Sequence, residues 1–203
     1  MRTRKILLSV LLVFLGLAGL PEVSGAQTYT VTDASTMTIY GSANVTDWEA
    51  KVNTIRGEIS LRNADQADFS EADASWLESV SISMTVEDID SDSRRMNNNM
   101  HGYLKKDEYP EITYRLVEVR ELAQSDNPGV VLTVRGIIAA AGVEQEIVHD
   151  VEIVRSESGG LVVSGSQDLK MTEFGIDPPT AVFGSIRSRD EMTITFELHL
   201  EQD

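Results

Sequence analysis

The stretch ESVSISMTVED, residues 78–88, alternates apolar and polar side chains with a period of two. Successive side chains of a β-strand point to opposite faces, so this spacing predicts a strand with one buried face and one solvated face. The stretch EMTITFELHL, residues 191–200, repeats the pattern near the C-terminus. Both stretches are typical of a sheet that covers a core with one of its faces.

The rest of the chain after residue 26 follows the same pattern. Alternation predicts further strands at residues 35–41, 48–61, 111–121, 130–139, 144–155 and 160–168. Glycine-bearing turns separate them at SDNPG (125–129), AAG (140–142) and SGG (158–160). Because short connections join antiparallel neighbours, we expect the last four strands to form a meander. About eight long strands of an all-β chain either curl into a barrel or pair as a two-sheet sandwich, and the pattern alone leaves both open. The polar segment at 64–75 predicts a surface loop or a short helix.

The first 26 residues have the composition of a secretory signal peptide. MRTRK is basic, residues 6–20 form an apolar run, and small residues end at Ala26. A membrane anchor is the alternative, but a span takes roughly 20 apolar residues, so we expect no stable membrane span. We therefore predict cleavage near Ala26, export to the periplasm or beyond, and one domain over residues 27–203. Because the chain contains no cysteine, disulfides and a lipoprotein anchor are excluded.

The formal net charge of −16 limits the partners. Loss of residues 1–26 removes three basic residues and one acidic residue, so the remaining chain is still more acidic. Such a chain repels phosphate backbones, and we expect no nucleic-acid partner. The scarcity of lysine fits either a salt-adapted protein or an ordinary acidic exported protein.

The sequence offers little catalytic or metal-binding chemistry. The three histidines are not in metal-ligand spacing, and no zinc or serine-hydrolase motif is present. The acidic run from Glu87 to Asp92 lacks the EF-hand spacing, so a solvated loop is the better interpretation. We predict no catalytic residue, no metal and no cofactor. His149 shares its strand face with apolar residues, which is typical of a core or pocket histidine.

The stretch MNNNMHGYLKKDEYPEITY, residues 96–114, changes period at Pro110. Met96, Met100 and Leu104 have helical spacing, whereas the residues after Pro110 have strand spacing. We interpret the first half as a short helical turn at one mouth of a barrel. Large or flexible side chains gather near this turn and near a second break in the strand pattern, which contains Phe174 and Phe183. Methionine is a flexible side chain that adapts well to an apolar ligand. The candidate ligand-binding residues of the lumen or rim are Trp48, Met84, Met96, Met100, Tyr103, Leu104, Tyr109, Tyr114, Phe174, Phe183 and Phe196. Four cations flank the turn and either contact a headgroup or balance nearby acids: Arg94, Arg95, Lys105 and Lys106.

Four stretches resemble the YceI-like family of exported lipid- and polyisoprenoid-binding proteins. They are GSANVTDWEAKVNTIRGEI, VSISMTVEDIDSDSRRMNNNMHGYLKKDEYPEITY, LTVRGIIAAAGVEQEIVHDVEI and DLKMTEFGIDPPTAVFGSIRSRDEMTITFEL. The resemblance implies a lipocalin-like, extended eight-stranded antiparallel β-barrel that holds a long isoprenoid chain without catalysis. It places Met96, Met100, Leu104 and Tyr109 in the helical-turn motif, and Phe174, Gly175 and Phe183 in the late loop.

Two features depart from the family pattern. Many relatives carry a histidine–aspartate pair or a histidine pair near SRRMNNNMHGYL, where this chain has asparagines. The acidic charge disfavours a diphosphate ligand and suits a quinone or another neutral isoprenoid. Two alternatives to the carrier stay open: an enzyme that uses His149 or His101 as its base, and a filled β-sandwich that acts as an interaction module. The oligomeric state is not predicted.

Overall fold

A computed structural model describes residues 26–62, 69, 73–125, 129–181 and 183–203. The signal-peptide prediction therefore lies outside the described residues, as do most of the 64–75 loop and the middle of the SDNPG turn. The strands are β1 (Gln27–Val31), β2 (Thr36–Ala43), β3 (Asp47–Val52), β4 (Ile55–Leu61), β5 (Leu77–Thr85), β6 (Ile89–Asp90), β7 (Glu111–Gln124), β8 (Gly129–Ala140), β9 (Val143–Arg155), β10 (Leu161–Lys170), β11 (Thr180–Ala181) and β12 (Ile186–Gln202). One α-helix, α1 (Arg94–Tyr103), and two 3-10 turns, Val86–Asp88 and Met171–Phe174, complete the described elements.

The sheet closes on itself. Its order is β1-β4-β5-β7-β8-β9-β10-β12, and β12 pairs with β1 again. The described strands therefore form a closed eight-stranded antiparallel barrel. Closure confirms the predicted fold, including the meander from β8 to β12, and excludes the two-sheet sandwich.

Several strands of the barrel are interrupted. Both β1 and β2 pair with β12, at Leu200–Gln202 and Ser188–Glu197, so they are two halves of one bent strand. The stretch that we predicted as one strand, 48–61, is likewise two strands, β3 and β4. Between them, Asn53 donates a hydrogen bond to the carbonyl of Asp88 at 3.1 Å. The short β1 was not predicted.

The turn between β8 and β9 illustrates how the connections are made. Ala141 and Gly142 both have positive φ, at 52° and 84°. A type I′ turn needs positive φ at both central residues, and its twist matches that of the flanking strands. Since β8 and β9 are twelve and thirteen residues long, this tight turn fixes the register of the longest regular hairpin.

One end of the barrel is filled by packed apolar side chains. Tyr29, Leu61 and Leu161 are almost fully buried there, and the Phe69 and Trp76 rings meet edge to face with centroids 5.0 Å apart. The Arg155 guanidinium lies 5.4 Å from the centre of the Phe69 ring. Burial of each large apolar side chain stabilises the fold by about 1.5–3 kcal/mol. This end is the main core of the protein.

Helix α1 covers the opposite end. Its N-cap is Ser93, whose hydroxyl accepts a hydrogen bond from the backbone N–H of Met96 at 3.4 Å. The Asn97 amide donates to Asp90 Oδ1 at 2.6 Å, and an imidazole nitrogen of His101, Nε2, lies 2.9 Å from the carbonyl oxygen of Ile89. The predicted helical turn is therefore confirmed, and these bonds attach it to β6.

Candidate binding site in the barrel lumen

The inward faces of the strands leave two adjoining cavities between α1 and the filled end. The wide chamber, next to α1, has a volume of about 410 Å³, and the narrow chamber, deeper in the barrel, about 130 Å³. Four isoleucines contact both chambers: Ile39, Ile112, Ile138 and Ile194. We call this set the isoleucine layer. It marks the boundary across which a bound chain would pass from one chamber to the other.

The wide chamber is lined by α1, by the late loop and by β2 and β3. Met96, Met100 and Leu104 face it from the helix side, and buried Phe174 and Met171 face it from the 3-10 turn. Trp48 reaches it because its indole lies over Gly41, where an added Cβ would stand 2.1 Å from the ring. The buried Trp48 Nε1 has no hydrogen-bond partner among the described residues. The chamber is therefore mainly apolar, with methionine and aromatic walls.

The narrow chamber contains an aromatic cluster of Tyr114, His149 and Phe196. The Tyr114 hydroxyl and His149 Nε2 are 3.1 Å apart, and both neighbouring ring pairs are edge to face. Tyr114 lies on β7 and His149 on β9, so the tyrosine crosses the intervening strand β8. It can do so because residue 136 is glycine: an added Cβ would stand 2.3–2.4 Å from the Tyr114 ring and hydroxyl.

Burial keeps both polar members of this cluster uncharged near neutral pH. It raises the pKa of Tyr114 to about 12, and it lowers the pKa of His149 below its ordinary value, against a smaller opposing effect of Asp150. His149 Nδ1 is buried without a hydrogen-bond partner among the described residues. The narrow chamber therefore presents a neutral, mostly apolar surface, in which Gln167 is a third polar lining residue beside the Tyr114–His149 pair.

The length of the lumen follows from strand geometry. Ile186 and Leu198 of β12 line its two ends and are twelve residues apart. An irregularity between Ser188 and Met192 adds two residues relative to β2, so about ten regular steps remain and give roughly 33 Å along the strand. With the strands of an eight-stranded barrel tilted by ~35–45°, this corresponds to roughly 25 Å along the barrel axis. The lumen is long and narrow rather than round.

Nine of the eleven candidate ligand-binding residues line the lumen. Trp48, Met96, Met100, Tyr103, Leu104 and Phe174 contact the wide chamber, and Met84, Tyr114 and Phe196 contact the narrow one. Tyr109 lies outside both: its side chain packs over Gly142 and is 40% exposed. Phe183 also lies outside both, and its side chain is fully exposed, at 110%.

The four candidate headgroup cations occupy different surroundings. Lys105 Nζ donates to the Ala141 carbonyl at 3.1 Å, and Lys106 Nζ lies 3.2 Å from a Glu87 carboxylate oxygen. Arg95 lines the wide chamber, and Arg94 is exposed at the start of α1. The lysines are thus engaged within the protein, and Arg95 is placed beside the opening.

The residues that make the lumen long are not among the candidates that the sequence predicted. These are the isoleucine layer together with Ile147 and Ile186, all half-buried at inward strand positions. In the sequence, these isoleucines are marked only by the apolar–polar alternation of their strands. That alternation does not distinguish a side chain that fills a core from one that lines a cavity. His149 was considered as a pocket residue and lies in the narrow chamber.

Two further surveys concern the described residues alone. Among them, no group of three or more histidine, aspartate or glutamate side chains is placed to hold a metal ion. No helix in the described part of the chain is long and apolar enough to cross a membrane.

Comparisons with known proteins agree with this architecture. The model of the YceI-like domain family matches residues 29–200. The structure is similar to that of BcnA from Burkholderia cenocepacia, with 16% identity and a TM-score of 0.65 over 83% of this chain and 98% of BcnA. It is also similar to a polyisoprenoid-binding domain from Saccharophagus degradans implicated in plant cell wall breakdown, with 12% identity and a TM-score of 0.66 over 88% of this chain and all of that domain. A YceI protein from Campylobacter jejuni gives 16% identity and a TM-score of 0.54 over 76% of this chain and 84% of its own. No curated protein sequence matches the chain.

Proposed function

This chain belongs to the YceI-like family, and from that membership we propose that it is an exported, non-catalytic carrier of an isoprenoid-like or other long-chain lipid. The observation that carries the proposal is the lumen, which runs for roughly 25 Å between α1 and the filled end with mainly apolar walls. Burial of a hydrocarbon chain there is favourable by about 0.8 kcal/mol per CH₂ group before ordering costs. Affinity therefore needs no catalytic group.

The length of the lumen supports a long ligand. A bilayer hydrocarbon core is ~30 Å thick, so one leaflet holds chains about 15 Å long. The lumen is longer than that, and it fits several isoprene units better than a short acyl chain. The binding of a polyisoprenoid by the Saccharophagus degradans domain, which shares this fold, is consistent with the same class of ligand.

The charges around the opening support a neutral headgroup. Lys105 and Lys106 are bonded to protein acceptors, which leaves Arg95 as the candidate cation that contacts the wide chamber in the described structure. With a formal charge of −16 on the whole chain, a diphosphate would meet repulsion and little local compensation. A quinone or an isoprenoid alcohol avoids both problems.

The alternative of an enzyme receives less support. A catalytic histidine is expected to have an orienting acid, but His149 is bonded to a tyrosine hydroxyl and His101 lies against a backbone carbonyl.

The export that we propose for this protein rests on the composition of residues 1–26, which is that of a secretory signal peptide.

The test is identification of the ligand that stays bound during purification without detergent. Native mass spectrometry should show an added mass, and chromatography of an organic extract should assign it to a neutral long-chain lipid. A variant with Ile194→Trp, which projects a larger ring into both chambers, should lose most of the added mass while it keeps its circular dichroism spectrum. The absence of any bound lipid, together with no uptake of added isoprenoid alcohols, would refute the carrier function.

A further inference from the structure

Two exposed apolar side chains lie on loops that also line the wide chamber. Phe183 is fully exposed, at 110%, and Val45 is 61% exposed. We call residues 44–46 and 183–187 the rim loops. Between them they supply Thr46 and Ile186 to the wall of the wide chamber, so the two apolar tips lie beside that wall.

The rim loops are held together by hydrogen bonds. The Asn44 side chain donates to the Ser185 carbonyl and accepts from the Arg187 backbone N–H, both at 2.9 Å. The Arg187 guanidinium donates to the Gly184 carbonyl at 3.0 Å. Phe183 thus projects from a braced base, and its exposure is a property of the loop structure.

We propose that the rim loops dock the protein on a lipid bilayer, with Phe183 and Val45 inserted among the acyl chains so that lipid passes directly into the wide chamber. This inference rests on the proposed carrier function. A hydrocarbon chain that crosses water loses its favourable burial in proportion to its length, and docking of the mouth on the membrane removes the water gap. The tips are placed where such a contact is needed.

A bilayer fits these tips better than a protein partner does. Specific protein interfaces bury about 800 Å² on each side, whereas a phenylalanine and a valine on polar loops supply a small fraction of that area. A bilayer accepts single apolar wedges, because its hydrocarbon surrounds them on all sides. Tyr103, 39% exposed and also at this chamber, adds a ring of the kind enriched at membrane–water boundaries.

The experiment measures uptake of one probe by two routes. The probe is a geranylgeraniol analogue that carries a nitrobenzoxadiazole label, presented either in phosphatidylcholine vesicles or from dilute ethanol without vesicles. Phe183→Ser should lower binding of the full-length protein to the vesicles roughly tenfold to a hundredfold and should slow extraction of the probe accordingly. Its affinity for the probe without vesicles should equal that of the wild type, because Phe183 does not line the lumen. Phe183→Trp should retain vesicle binding. Val148→Ser, which removes an exposed apolar side chain from the outer face of β9, is the matched control and should change neither measurement.

Each contrary result has a definite meaning. Equal extraction by the wild type and Phe183→Ser, with normal uptake without vesicles, would overturn membrane docking and leave the carrier function standing. A wild-type protein that takes up no probe by either route would overturn the carrier function and this inference with it. A dimer that becomes a monomer on Phe183→Ser, in sedimentation equilibrium without vesicles, would assign the tips to a second copy of the chain and overturn docking.

Discussion

Substitution of Ile138 by tryptophan should shorten the usable lumen. Ile138 belongs to the isoleucine layer, and its side chain is half-buried beside both chambers, so a larger ring has free space to enter. The ring would close the passage into the narrow chamber. From Ile194 to Leu198, the narrow chamber spans four residue steps on β12, which is roughly 13 Å along the strand and roughly 10 Å along the axis.

The expected loss follows from chain burial. An extended isoprene unit is ~4.5 Å long by ordinary bond geometry, so the whole lumen accepts about five units and the narrow chamber about two. Each five-carbon unit gains about 4 kcal/mol on burial, and we take about 2 kcal/mol as the net gain after its bonds are ordered. Loss of two units should therefore weaken binding of a long chain by about 4 kcal/mol, or roughly a thousandfold.

The assay is a chain-length series. Isoprenoid alcohols of increasing length, delivered from cyclodextrin, compete with a fluorescent probe for the lumen. Affinity of the wild type should rise with each unit and level off near five units, whereas Ile138→Trp should level off near three. Ile138→Val, which removes one methyl group and leaves the passage open, should behave as the wild type does. An unchanged limit in the tryptophan variant, or an affinity that does not depend on chain length, would refute the burial reasoning.

Three further predictions concern the cluster and the helix. Because the pKa of His149 is lowered in the folded state, the unfolded chain binds more protons just below pH 6.5, and the free energy of unfolding should fall as the pH decreases through that value. His149→Phe should weaken this pH dependence of the free energy of unfolding, measured by urea titration at several pH values. The same pH dependence in the variant and the wild type would contradict the prediction. Gly136→Val should displace the Tyr114 ring and lower the midpoint of thermal unfolding. Tyr114→Phe should lower the free energy of unfolding by about 1–3 kcal/mol, because the hydrogen bond to His149 is lost. A Tyr114→Phe variant as stable as the wild type would argue that this hydrogen bond is not formed. The Asn97 hydrogen bond lowers the pKa of Asp90, so it stabilises the fold above the ordinary pKa of 3.8, and this stabilisation is lost as the pH falls below that value. Asn97→Ala should therefore speed amide hydrogen exchange in α1 at neutral pH. Unchanged exchange would show that this bond does not attach α1 to β6.

The sequence was a good guide to the barrel because alternation is a local property. Residues 78–88 and 191–200 read as half-buried strands, and the helical spacing of Met96, Met100 and Leu104 located α1. The interruption at residues 53–54 was missed, although the apolar positions change there from even numbers, up to Val52, to odd numbers, from Ile55. The Asp88 carbonyl that receives Asn53 is distant in sequence and leaves no local signal. Local patterns do not encode such pairings.

The lumen was harder to predict because it depends on contacts between strands. Inward residues on β4 and β8, such as Leu61 and Ile138, follow the same alternation in sequence, yet Leu61 is fully buried in the main core and Ile138 is a half-buried wall residue of the lumen. The crossing of β8 by Tyr114 depends on the absence of a side chain at residue 136. The aromatic candidates near α1 and in the late loop were predicted only because they are close together in sequence. One of them, Phe183, is fully exposed and does not line the lumen.

The packed end of the barrel would give the proposed carrier a single direction of loading. Under the proposed function, a hydrocarbon tail would meet Ile59 and Leu198 at the inner end of the narrow chamber, with Tyr29 and Leu161 packed in the core behind them. The tail could not leave at that end without disrupting the main core, so it would enter and leave at the α1 end. A bound lipid would then enter with its tail first, and its headgroup would stay beside α1. An enzyme or membrane that receives the lipid would therefore contact the headgroup before the hydrocarbon chain leaves the lumen.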